Sequence, residues 1–235
     1  LIETAAKDDP SGRVGALYAS FMDTEGIEAA GLSVLDADLH PIRNAEALED
    51  LATTLGELDT RGVGGVVGYF IEKDSSEDKE IVYLVQTGIG LPDEAYYRED
   101  QHAETRVAYQ EFIVDMLNLA AEQARPGRFA EASAEDSAQA IFDFETRLAK
   151  GHWNNVDSRE AEKTYNPTAV GDLPTEFPFA QWLAATHVDP NTSGGKKIIV
   201  SQPSYLDHVA KIATDSAIDL DQWKLWAYWR VLTSR

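Results

Sequence analysis

Apolar side chains recur along this chain with two periods, and most follow the helical one. Val14, Leu17, Tyr18 and Phe21 fall at i, i+3, i+4 and i+7, which predicts an amphipathic helix opening near Pro10 and Ser11. Gly26 and Gly31 mark the loop expected after it. Leu48, Leu51, Ala52, Leu55 and Leu58 form a second stripe that ends before Arg61-Gly62. Tyr109, Phe112, Ile113, Met116, Leu117 and Ala120 form a third over residues 103–124, stopped by Pro126-Gly127. Ser133 followed by Asp136 reads as a capping box for a helix lined by Ala138, Ile141, Phe142, Leu148 and Ala149, with Gly151 at its end. Phe179, Trp182 and Leu183 start a short helix, and Pro203-Ser204 opens one carrying Leu206, Val209 and Ile212. Asp219 caps the last helix, with Gln222 at the reciprocal position. That helix holds Trp223, Trp226 and Trp229 and is apolar on most sides, which places it at the centre of a bundle.

The second period is that of strands. VGGVVGYFIEK (63–73) and KEIVYLVQ (79–86) are rich in valine, isoleucine and aromatic residues, and the acidic stretch Asp74 to Asp78 can turn between them. The prediction is a β-hairpin over about 63–87. Two strands alone are marginal in water, so the hairpin must pack on helices or gain another strand. Gly88 and Gly90 break the second strand, and Pro92 pre-sets the turn. Asp93 then accepts from the free N–H groups of the next helix, and Tyr96 and Tyr97 bury their rings while their hydroxyls find partners. Residues 166–178 carry Pro167, Gly171, Pro174 and Pro178 and read as a loop with room for a short helical turn; Asn191 to Gly195 reads as a turn and Ile198-Ile199-Val200 as a short strand. The expected fold is mainly α, a multi-helix bundle-like lobe with a small β-hairpin insertion, with no linker that divides residues 1–235.

Charge changes the picture of partners. The chain carries 41 acids against 20 bases, a formal net charge of −21. Phosphate backbones and anionic membranes are repelled by such a surface, so neither nucleic acid nor lipid is expected as a partner. Cationic peptides are weakly favoured. There is no cysteine, which removes disulfides, thiolate zinc sites and cysteine nucleophiles. No apolar run reaches the length of a membrane span, and no signal peptide is visible at Leu1; a targeting segment upstream is left open.

Candidate chemistry is sparse. Metal-assisted peptide hydrolysis on a helix needs H-E-x-x-H, two imidazoles on one face with a general base, and the chain has none. The five histidines, His40, His102, His152, His187 and His208, include no two spaced three or four apart, so surface, capping or core roles are expected. There is no G-x-S-x-G nucleophile elbow. Glycines 62, 64, 65 and 68 lack the Lys-Ser/Thr ending of a phosphate loop and read as a strand entrance. The tryptophans of the last helix, at helical spacing, read as core.

Four ordered blocks point further. Gln86, Gly88, Gly90, Leu91, Pro92, Asp93, Tyr96 and Tyr97 form Q-x-G-x-G-L-P-D-x-x-Y-Y. His152, Trp153, Arg159, Lys163, Thr164, Tyr165 and Asn166 follow one long helix later, then Pro203, Tyr205 and Leu206, then the tryptophan-rich helix. In this order they resemble the neprilysin and endothelin-converting-enzyme family of zinc metallopeptidases, over roughly residue 14 to the end. The resemblance implies a two-lobed endopeptidase or oligopeptidase acting on short peptides. One lobe of such an enzyme carries H-E-x-x-H, an E-x-x-x-D zinc ligand and N-A-(F/Y)-Y; the other is a helical cap. This chain resembles the first part of the cap, and its cysteine-free, acidic character looks like a bacterial member, cytoplasmic, secreted or cell-associated. Glu111–Asp115 and Glu46–Asp50 match E-x-x-x-D spacing but follow no histidine motif. No catalytic, cofactor-binding or metal-binding residue is therefore carried over, and zinc is expected only in a catalytic domain outside this sequence. The expected function is steric: a wall that admits flexible peptides to that domain, its partner. The alternatives are a stand-alone helical peptide-binding module without hydrolytic activity and an enzyme with an unrecognised carboxylate site. In a fragment, helices built to rest on a missing half are expected to expose apolar faces.

Overall fold

The computed structural model describes residues 2–9, 12–123, 133–188 and 197–234. Its first third is a run of short helices: α1 (Ile2–Asp8), α2 (Arg13–Met22), α3 (Thr24–Ala30), a 3-10 turn at Gly31–Leu35, α4 (Asp36–Asn44) and α5 (Leu48–Asp59). α3 stands where Gly26 predicted a loop. The Asp23 carboxylate accepts from the Gly26 N–H at 3.0 Å, and this cap starts a helix that runs through the glycine. α5 buries its predicted stripe, with Leu51, Ala52, Leu55 and Leu58 inaccessible.

β1 (Val67–Lys73) and β2 (Glu80–Gln86) form the predicted antiparallel hairpin. It begins at Val67, four residues later than expected. It is not an isolated insertion: the sheet has four strands in the order β1-β2-β4-β3. β4 (Lys197–Val200) runs parallel to β2, and β3 (Pro167–Ala169) runs antiparallel to β4. β3 lies in the stretch read as a proline- and glycine-rich loop. Pro167 starts that strand at the sheet's edge, where the missing N–H breaks no central ladder.

The remaining helices are α6 (Ala95–Arg98), α7 (Ala103–Gln123), α8 (Ala134–Ala149), α9 (Ala161–Thr164), α10 (Phe179–Ala185), α11 (Pro203–Ala213) and α12 (Leu220–Ser234). α12 is the central element, with Trp223, Trp226, Ala227, Trp229 and Val231 all buried. Phe144 of α8 meets Trp223 edge-on at 4.8 Å between ring centroids, and the Phe177 ring lies 5.5 Å from that of Trp223. α7 buries Ile113 and Ala120 but leaves Phe112 and Leu119 half in solvent, so its apolar stripe is only partly covered.

Three capping expectations change in detail. Ser133 accepts from the Asp136 N–H at 3.0 Å, while the Asp136 carboxylate takes the Ser133 hydroxyl proton rather than a backbone N–H. Asp219 accepts from the Gln222 N–H at 3.0 Å, but the Gln222 carboxamide oxygen is buried without a partner, so the return half is not made. Gly151 follows α8 without a left-handed backbone; a methyl there would lie 2.2 Å from the His208 ring, so close packing explains it. Pro10 and Ser11, Pro126-Gly127 and the Asn191–Gly195 turn lie outside the described residues.

Candidate functional site

The sequence blocks at 86–97, 152–155 and 203–206 meet at one corner, where β2 ends and the chain leaves the sheet, whereas Tyr165 reaches the other end of the hairpin and donates to the Asp74 carboxylate at 2.7 Å. Gln86 holds the first two together. Its carboxamide donates to the Trp153 carbonyl at 2.9 Å and accepts from the Trp153 N–H at 2.7 Å. Gln202, just before α11, accepts from the Gln86 N–H at 3.0 Å. The Tyr205 hydroxyl, fully buried, lies 2.7 Å from the Val66 carbonyl and 2.8 Å from that of Thr87. The Trp153 indole N–H donates to Ser204 Oγ at 2.7 Å. Asn155 donates to Asp93 at 2.7 Å, and Asp93 also accepts from the Ala95 N–H at 3.0 Å, as the sequence predicted.

A buried carboxylate lies behind this corner. Glu145 of α8 is inaccessible to solvent. It accepts from the Tyr97 hydroxyl at 2.7 Å, from Tyr109 at 3.0 and 3.1 Å, and from the Gly90 N–H at 3.2 Å. Tyr97 in turn accepts from the N–H groups of Gly90 and Leu91, each at 3.0 Å. The Trp229 indole donates to Tyr109 at 3.1 Å. Burial pushes the Glu145 carboxyl above its ordinary range, against the opposing effect of these hydrogen bonds. Burial and the neighbouring carboxylate push both tyrosines up, which keeps them protonated donors. The turn G-I-G-L-P-D-E-A-Y-Y is thus anchored by Tyr97 to Glu145 of α8, which Tyr109 of α7 also bonds, so the Tyr97 hydroxyl finds the partners expected of it. Tyr96 serves differently, stacking on His102 at 3.9 Å.

Between α6 and the 152–163 segment opens a cleft of about 580 Å³, bordered by Arg98, Lys150, His152, Trp153, Asp157 and Lys163. Arg98 is paired with Glu94 and Glu99, and Lys163 with Asp157 and Glu160. His152 donates Nε2–H to the Thr87 carbonyl at 3.0 Å and rests edge-on against Tyr205. Burial pushes its pKa from 6.5 down to about 4, so it is a neutral strut at physiological pH.

Of the other histidines, His208 lies close enough to His152 to lower its pKa further. His40 is exposed and bonds Asn44 at 2.9 Å. His187 is exposed with φ at +58°. His208 bonds the Arg147 carbonyl at 2.7 Å. Glu111 and Asp115 are exposed on α7, while Asp50 accepts from the N–H groups of Glu46 and Ala47 at the start of α5. Sequence reasoning missed Glu145, whose partners come from 36 to 55 residues away; the only signal was an acid within the apolar run of α8.

The model described as peptidase family M13 matches residues 1–235. An endothelin-converting enzyme homolog of Locusta migratoria is 27% identical over 198 residues, which is 78% of this chain and 26% of that protein. Bovine endothelin-converting enzyme 1 is 25% identical over 166 residues, 67% of this chain and 21% of its own length. Among solved structures, the Mycobacterium tuberculosis zinc metalloprotease Zmp1 in complex with an inhibitor superposes with a TM-score of 0.86 at 34% identity. The match covers 100% of this chain and 36% of that one. PepO from Lactobacillus rhamnosis superposes at 0.63 with 18% identity, a likeness of fold alone. The chain therefore spans about a quarter of the curated relatives it matches and about a third of the solved bacterial enzyme.

Proposed function

Because this chain belongs to peptidase family M13, in its N-terminal part, we propose that it is the non-catalytic helical portion of a zinc metalloendopeptidase that hydrolyses short peptides. The observation that carries this reading is the match of the whole chain to about a third of a zinc metalloprotease of the family. Zinc hydrolysis needs three side-chain ligands converging on an ion with an open position. Among the described residues no three His, Asp or Glu side chains converge in that way, so these residues do not fit a zinc centre and no chemical step is assigned to them. The hydrogen-bonded corner has a mechanical task instead. It welds the sheet to α6, α8 and α11, giving a wall stiff enough to exclude folded proteins while flexible peptides pass to a metal held elsewhere in the parent polypeptide.

The test uses the full-length parent enzyme. It is offered one peptide sequence in three forms: free, at a disordered terminus, and within a folded domain. The gatekeeping reading expects cleavage of the first two and little of the third. Comparable cleavage of all three contradicts it.

A further inference from the structure

We propose that the outer face of α2 and α3 is the seam on which the rest of the parent polypeptide packs; this rests on the reading of the chain as one portion of a larger peptidase. Val14, Leu17 and Phe21 lie three and four residues apart along α2, the spacing of a core-facing stripe. In the structure that stripe faces solvent: Leu17 is 72% and Phe21 77% exposed, with Met22 at 55%. Ile27 on α3 and Val34 in the following turn are also more than half exposed. α2 buries Gly15 and no large apolar side chain, and α3 buries nothing. α5 carries the same periodicity and buries Leu51, Ala52, Leu55 and Leu58, so the pattern is one this fold otherwise uses for its core. Apolar side chains gathered in this way mark an interface rather than a free surface.

Two observations choose the occupant. The backbone matches Zmp1 over the whole of this chain, α2 and α3 included, while nearly two-thirds of that enzyme lies outside the match. The helices thus take this position in a polypeptide with ample further chain to cover them. A second copy is disfavoured, because two chains each of net charge −21 repel.

The chain has two methionines, Met22 on this face and Met116 half-buried on α7, and oxidation by peroxide follows exposure. Mass spectrometry of timed peroxide reactions is the experiment, run on the 235-residue chain and on the full-length parent. Met22 is expected to oxidise faster than Met116 in the isolated chain and several-fold more slowly in the parent than in the chain. Equal Met22 rates in the two proteins overturn the proposal. Protection of Met22 that grows with concentration of the isolated chain also overturns it, assigning the face to a second copy. The Leu17→Ser, Phe21→Ser double variant gives an independent readout: the melting temperature of the isolated chain stays unchanged and that of the parent falls. A fall in both proteins, or in neither, contradicts the seam. A parent that cuts folded domains freely sinks the gatekeeping reading but leaves Met22 protection untouched, so the two failures are distinguishable.

Discussion

Tyr97 illustrates how much one side chain can fix. Its hydroxyl donates to the buried Glu145 and accepts from two backbone N–H groups. Replacing it by phenylalanine keeps the ring and strands those donors. Leaving buried polar groups unpaired costs about 1–3 kcal/mol, so chemical denaturation of Tyr97→Phe is expected to show a loss of that order. A change below a few tenths would mean that the bonds contribute little. His152 gives a pH signature. Its folded pKa is depressed to about 4, so between there and 6.5 the unfolded chain takes up the proton and the folded one does not. Its contribution to stability is complete above 6.5 and lost as pH falls toward 4. Denaturant midpoints measured across that window should fall more steeply for the native chain than for His152→Gln; parallel curves would deny the buried neutral imidazole. The sequence announced Tyr97 through the G-L-P-D-x-x-Y-Y block, yet it could not announce Glu145, whose burial depends on groups from three other segments.

At the scale of elements, close approach decides which positions tolerate change. A methyl on Gly90 would sit 1.9 Å from the Tyr109 hydroxyl, which Glu145 and Trp229 hold in place. One on Gly151 would meet the His208 ring. Overpacking of this kind costs typically about 1–3 kcal/mol, so Gly90→Ala and Gly151→Ala are each expected to lower the melting temperature by several degrees. Gly171, with nothing within 4 Å, is the control and should be neutral on substitution by alanine. Helices with strong period and the hairpin were readable because local pattern specifies them. α3 was not, since a side-chain cap at Asp23 starts a helix through Gly26, while Gly31 ends it with φ at +48°. β3 was not, since three residues become a strand only when β4 offers a partner. The loss of the reciprocal cap at Gln222 likewise reflects burial that no local pattern records.

For the whole molecule, the described residues make a mainly α fold around a small four-stranded sheet. An aromatic-rich central helix and a small sheet give the chain its own core, while α2 and α3 turn their apolar stripe outward. The expectation that helices made for a larger body would expose such faces is met there. No helix among the described residues is long and apolar enough to cross a membrane. Residues of the family blocks, grouped by resemblance in the sequence, converge on the corner where β2 ends, with His152 donating there to the Thr87 carbonyl. The claim at the centre of this account is that peptide hydrolysis in the parent enzyme belongs to another part of the polypeptide. Its most direct test is to incubate the 235-residue chain with zinc and a panel of short peptides, with and without chelator, and to follow the products by mass spectrometry. The account predicts intact peptides under both conditions; chelator-sensitive cleavage by this chain alone would contradict it.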